Sequence, residues 1–400
     1  MKLLLNLLGI LVVLGFMFLI SINRKAINFK NIAIALFAQF LLAGLLIKLP
    51  AGRAAIATVS DGVVKVLSYG AEGISFVFGS LGDPKAPTGM IFAFQTLTNI
   101  VFISALVAVL YYVGILGFIV SKIGWVIGKV FKTSEVESFV AVANMFLGQT
   151  DSPILVAKYL KMMTDSEVML VLVSGMGSMS VSIIAGYTAL GIPMQSLLIA
   201  STLVPIGSII ISKIICPQTE QVKELGEIKM DNKGNNENVL DALSAGAMDG
   251  MNMAMAIGAS LIAIISIVAL LNGILGVFNL SFEKILSYVF APIGYLMGLE
   301  GSEVFKAGEL LGSKLILNEF VAFGKLAPML ESMNPRTGLM LAVSLAGFAN
   351  VSSIGICISG ISVLCPEKRQ TLAKLAVRAM IGGFCVSLLS SMIVGIWMLF

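Results

Sequence analysis

Long apolar runs separated by short polar and basic loops set the pattern of this chain. Runs over residues 3–22, 31–49, 97–121, 166–190, 195–215, 248–276, 338–363 and 373–399 have the length and hydrophobicity of membrane spans. A bilayer core of about 30 Å takes about 20 apolar residues in helical form. Residues 51–90 are less hydrophobic and carry Asp61, Lys65, Glu72, Asp83 and Lys85, which predicts an amphipathic helix lying in the interface. Residues 281–298 read as a further, partly interfacial segment. A hydrophilic stretch, 217–247, holds Lys223, Glu224, Glu227, Asp231 and Lys233 and divides the chain into halves.

Two stretches do not fit a plain span. Fourteen residues, Ser134 to Leu147, lead to a polar island, Gly148-Gln149-Thr150-Asp151-Ser152-Pro153, and an apolar piece then runs on to Leu160. A helix of that length reaches about 21 Å, short of the bilayer core, so a re-entrant hairpin is predicted. Residues 302–328 carry Glu303, Lys306, Glu309, Lys314 and Glu319 around a second island, Leu317-Asn318-Glu319-Phe320, and predict a second hairpin. Their lead-ins match: Ser134-Glu135-Val136 and Ser302-Glu303-Val304. Polar side chains in hydrocarbon cost several kcal/mol, so those at the tips are expected to face a cavity. The order span, hairpin, span, span occurs over 97–216 and again over 248–400. The first hairpin enters from the cytoplasm and the second from outside, which makes the repeats inverted. Secondary transporters are built this way, with the substrate site where the repeats meet. Residues 1–96 then form a scaffold of two spans and an interfacial helix, and 217–247 a cytoplasmic loop.

Composition agrees. Hydrophobic residues make up 58% of the 400 and charged residues 12%, with a mean hydropathy of +1.00, whereas a soluble domain averages about 25% charged. The fold class is therefore an all-α integral membrane protein. A net charge of +4 does not point to nucleic acid. Arg24, Lys25 and Lys30, then Lys122, Lys129 and Lys132, then Lys368, Arg369, Lys374 and Arg378 cluster in loops on one side. The positive-inside rule makes that side cytoplasmic and leaves both termini outside. The first run lacks a small-x-small cleavage site and reads as a span, not a signal peptide. Four cysteines lack CxxC spacing and read as buried small hydrophobes. Histidine is absent, which removes histidine catalysis, histidine metal sites and a histidine proton relay. No nucleophile–base pair marks an enzyme, and two capped hairpins argue against an open channel.

Each hairpin is followed by a span with a polar patch, residues 174–182 in the first repeat and 347–353 in the second. Asn350 and Ser353, three apart, share a helical face. With Glu319 they supply donors and acceptors suited to a hydroxyl-rich ligand. Gln149 and Thr150, beside Gly148, suit a planar amide-bearing group.

The strings GQTDSP, LNEFVA and GFANVSSI, in this order and in these hairpins, resemble the concentrative nucleoside transporter family over nearly the whole chain. The resemblance implies eight spans, two opposed hairpins, an interfacial helix and a homotrimer that imports nucleosides on a sodium or proton gradient. It implies that Gln149 and Thr150 contact the base and that Ile183 and Phe348 pack against it. Glu319, Asn350 and Ser353 would hold the ribose. Asn144, Leu147, Ser178 and Met179 fall where the family binds sodium. Asp151 departs from the family's usual glutamate and is one methylene shorter, so its reach to the ligand needs a water. Sodium is the expected coupling ion, because carbonyls freed at helix breaks ligate it without a formal charge. The alternative is a proton carried by Asp151 or Glu319, and another small polar metabolite is the alternative substrate.

Overall fold

Eighteen α-helices carry the regular structure of the computed structural model, which describes residues 1–83, 85–87, 89, 91–222 and 236–400. The first repeat is preceded by α1 (Lys2–Leu19), α2 (Phe29–Ile47), α3 (Pro50–Phe78) and the short α4 (Phe92–Gln95). It comprises α5 (Thr98–Tyr112), α6 (Ile115–Phe131), hairpin helices α7 (Glu135–Ala143) and α8 (Ala157–Leu160), then α9 (Asp165–Gly177), α10 (Val181–Ala189) and α11 (Met194–Ile215). The second comprises α12 (Val239–Leu275), α13 (Phe282–Leu296), hairpin helices α14 (Ser302–Ile316) and α15 (Glu319–Leu326), then α16 (Pro335–Leu345), α17 (Val351–Leu364) and α18 (Arg369–Trp397). Among the described residues seven helical segments are long and apolar enough to cross a membrane. The eighth span is the broken pair α16–α17, whose second half is a 14-residue apolar helix.

Ion pairs and hydrogen bonds fix the two ends of the bundle. At one end Ile22 N–H donates to the Ile215 carbonyl at 2.8 Å, and Lys213 pairs with Glu137 at 2.6 Å. Lys161 pairs there with Glu367 at 3.0 Å and Lys374 with Asp165 at 3.5 Å. At the other end Lys2 pairs with Glu300 at 3.1 Å and Thr337 donates to Glu303 at 2.7 Å. Arg336 there donates to the carbonyls of Met297, Gly298 and Gly395. Glu137 opens the first hairpin and Glu303 the second, so the hairpins enter from opposite faces. The 29 residues of α18, about 44 Å of helix, run from one end to the other.

Local chemistry explains where the chain stops being helical. A Ser134/Glu137 capping box starts α7, and a Thr164/Glu167 box starts α9. Ser180 caps α10 by accepting from Ile183 N–H, and Asn350 caps α17 by accepting from Ser353 N–H. Such caps satisfy amides that a helix start leaves without partners. Asn334 caps α16 as Thr164 caps α9. The pairs Thr164/Asn334 and Ser180/Asn350 are both 170 positions apart, so the two repeats share one register through the broken span.

Three expectations change. The run 97–121 is not one span: it breaks at Gly114, whose φ of +85° suits glycine, and α6 carries Lys122 and Lys129 on a separate helix. The runs 166–190 and 338–363 are each interrupted, at 178–180 and 346–350, by the caps just described. The polar stretch 217–247 is shorter than expected, because α12 already starts at Val239; Lys223, Glu224, Glu227, Asp231 and Lys233 lie outside the described residues.

The interruptions meet in the buried centre, formed largely by α9, α11 and α18. Gly347 has a φ of +116°, and a Cβ there would stand 2.6 Å from the Gly177 carbonyl oxygen. Gly347→Ala is therefore expected to destabilise the protein by about 1–3 kcal/mol or more, as overpacking does. Gly355→Ala, inside α17 where a Cβ meets nothing within 4 Å, should leave the melting midpoint of the purified protein unchanged or raise it. A midpoint for Gly347→Ala equal to that of Gly355→Ala would contradict this packing.

Candidate substrate and ion site

The second hairpin tip is built by Asn318, whose side chain accepts from Val321 N–H at 2.9 Å and so starts α15 at Glu319. A carboxylate in the first turn faces the positive end of the helix. Glu319 is only 5% exposed and is held from two sides. Tyr187 of α10 donates to one carboxylate oxygen at 3.0 Å, and Asn350 donates to the other at 3.2 Å. Tyr187 is itself fixed between the rings of Phe320 and Phe323, with centroids at 4.7 and 4.6 Å.

Asn350 has two tasks. Its amide nitrogen serves Glu319, and its oxygen caps α17 through Ser353 N–H at 3.0 Å. Ser353 also donates to the Phe348 carbonyl and accepts from Gln149 at 3.4 Å. The far side of the Gln149 amide meets Cys357 at 3.4 Å. Gln149 belongs to the first hairpin, so this network ties the two tips together across the repeat boundary.

Between the tips lies a cavity of about 270 Å³. Gly148, Gln149 and Thr150 line one side, Glu319, Asn350 and Ser353 another, and Ile183 and Phe348 supply apolar walls. Eight of the nine expected substrate residues are thus brought to one space. Asp151 is not: it accepts from Thr150 Oγ1 at 3.0 Å and lines a second cavity of about 250 Å³ with Asp249 of α12. Leu147 and Met253 border both cavities.

The expected ion ligands lie on adjoining segments, the first hairpin tip and the break after α9. Asn144 follows α7 and donates to Ser174 Oγ at 2.9 Å. Its amide oxygen is buried and has no hydrogen-bond partner, an arrangement that costs free energy unless something positive approaches it. Ser178 closes α9, where the last carbonyls lack intrahelical partners, and donates to Gly175 O at 3.1 Å. Its own carbonyl accepts from Phe348 N–H at 3.1 Å. Val181 N–H donates to the Phe146 carbonyl at 3.0 Å, which holds Leu147 and the hairpin tip beside the break that contains buried Met179. Oxygen-only donors at a helix break, with one amide oxygen free, fit a hard monovalent cation.

Sequence reasoning missed several residues. Met253, Ala256, Ile257 and Ser260 of α12 form one helical face that lines the cavity, but their composition is that of a lipid-facing stripe. Tyr187 gave no signal inside its apolar run. Asn318 and Ser180 were legible in principle, as capping residues directly before helical stretches.

Family comparisons cover almost the whole chain. The profiles described as Na+ dependent nucleoside transporter N-terminus and C-terminus match residues 8–81 and 196–395, and one described as nucleoside recognition (Gate) matches 93–194. The nucleoside permease NupC of Helicobacter pylori is 34% identical, over 94% of this chain and 93% of its own length. Sodium/nucleoside cotransporter 1 of Rattus norvegicus is 34% identical over 97% of this chain and 63% of its own length. The structure of CNTnw in an inward-facing substrate-bound state superposes with a TM-score of 0.95 at 35% identity, covering 98% of each chain. With matching profiles from end to end and near full-length relatives of this similarity, the chain belongs to the family of Na+ dependent, concentrative nucleoside transporters.

Proposed function

We propose that this protein imports nucleosides together with sodium by alternating access, using the cavity between the hairpin tips as the substrate site. The observation that carries the reading is the division of polar groups across that cavity. Amide and hydroxyl groups of Gln149 and Thr150 on one side suit the edge of a base, and Glu319, Asn350 and Ser353 on the other suit vicinal hydroxyls. Phe348 and Ile183 supply apolar surface for the base between them. Glu319 is already oriented by Tyr187 and Asn350, so little ordering cost remains when a sugar hydroxyl arrives.

Sodium is the co-substrate in this reading, held by the free oxygen of Asn144, by Ser178 and by carbonyls at Leu147 and Met179. An ion there would order the first hairpin tip and, through the Ser178–Phe348 hydrogen bond, the wall of the substrate cavity. The relative named a sodium/nucleoside cotransporter supports the choice of ion. Residues 97–216 and 248–400 are the moving repeats and 1–96 is the scaffold, within a homotrimer in the bacterial cytoplasmic membrane. Lys161, Lys213, Lys368 and Lys374 gather at the end where the first hairpin enters, and this favours a cytoplasmic location for it. Lys2 and Gly395 belong to the opposite end, which leaves both termini outside.

Proteoliposomes test the reading. Radiolabelled uridine should accumulate when sodium is higher outside, with a saturating sodium dependence that Asn144→Ala shifts to higher concentration. Accumulation without sodium, driven by an acid-outside gradient, would overturn the choice of ion. Failure to accumulate under either gradient would overturn transport. Glu319→Gln should reduce uptake at low nucleoside concentration about tenfold or more, since a hydrogen bond to a charged group contributes about 1.5–3 kcal/mol. It should leave membrane insertion intact, with a lowered melting midpoint because a buried charge loses its balance. Near-normal uptake by this variant would remove Glu319 from the site.

A further inference from the structure

Lys314 is fully buried at the centre of the second hairpin. Lysine is almost never found so unless paired, because stripping water from an ammonium costs several kcal/mol. Here the ammonium donates to the Ser344 carbonyl at 2.8 Å, the Ala346 carbonyl at 3.3 Å and Ser387 Oγ at 2.7 Å. Its three protons therefore have three oxygen acceptors. Two of the three are carbonyls at the end of α16, where an interrupted helix presents unpaired oxygens and the negative end of its dipole.

The register of the repeats shows what stands at the same place in the first half. Lys314 lies 170 positions after Asn144, the separation that also relates Thr164 to Asn334 and Ser180 to Asn350. Ser344, whose carbonyl Lys314 binds, is likewise the counterpart of Ser174, which Asn144 binds. Both residues thus sit just before a hairpin tip and against the end of the following half-helix. In the first repeat that place holds an amide with a free buried oxygen. In the second it holds a cation with every donor used.

The geometry points to Lys314 as a tethered cation that fills, in the second repeat, the position that the free coupling ion takes in the first. Only the first hairpin then waits for an ion, and the second keeps its charge throughout the cycle. Glu319, five residues on, provides the balancing carboxylate, where the first repeat has the neutral Gln149 after Asn144. This rests on the sodium site proposed at Asn144, and the test separates the two.

Melting midpoints of the purified protein, with sodium exchanged for choline at constant ionic strength, would decide it. Lys314→Asn copies the first repeat into the second. Its midpoint should fall in choline and recover in sodium, and the recovery should persist in Asn144→Ala/Lys314→Asn, because it arises in the second repeat. A lysine that merely braces the hairpin would give a loss that sodium does not reverse, and that result overturns the proposal. Should Lys314→Asn not fold, the converse variant Asn144→Lys serves. It should lose the sodium-dependent rise in midpoint seen in the parent, and retention of that rise overturns the proposal. A parent without any sodium response, beside a Lys314→Asn variant that gains one, would sink the site at Asn144 and leave the assignment of Lys314 standing.

Discussion

Backbone N–H and C=O groups in the middle of a bilayer have no water to bond with, so a helix can stop there only if something else takes its orphaned groups. This protein stops several helices at that depth, and the rest of its architecture follows from how the loose ends are satisfied. Ser180 and Asn350 take the free amides of α10 and α17. Phe348 N–H bonds the Ser178 carbonyl and Val181 N–H the Phe146 carbonyl, so each break completes another. Lys314 takes carbonyls at the end of α16. Beside the break in the first repeat, the buried Asn144 oxygen is among the side-chain atoms left without a partner in the described residues.

That arrangement links packing to transport. Groups of the proposed substrate site also serve the fold: Asn350 caps a helix while it orients Glu319, and Ser353 is held by a carbonyl while it receives Gln149. The cavity is lined by both hairpin tips, and the tips belong to hairpins anchored at opposite ends of the bundle by Glu137–Lys213 and by Glu303–Thr337. A ligand that bridges the tips therefore couples the two faces of the membrane. This is the physical content of alternating access in an inverted repeat.

Much of this was legible in the sequence, for identifiable reasons. Asp151 and Glu319 stand out because charge in an apolar run is costly, and that cost located both hairpins. The cavity face of α12 was invisible, since Met253, Ala256, Ile257 and Ser260 would look the same against lipid. The breaks in two spans were hidden because serine and asparagine inside a helix can equally bond to their own backbone. Lys314 was read only as one more polar residue of its hairpin. Its meaning depends on carbonyls about 30 residues away in sequence, which no local pattern encodes. Asp151, chosen for its place in the motif, lines the neighbouring cavity with Asp249 instead.

The central claim is that nucleoside binds between the two hairpin tips. Crystals grown with 5-bromouridine offer the most direct measurement, because bromine's anomalous signal locates the base independently of any assumed pose. A single peak in the cavity beside Phe348 and Ile183, within reach of Gln149 and Thr150, is the result this account predicts. A peak in the second cavity, beside Asp151 and Asp249, would contradict it.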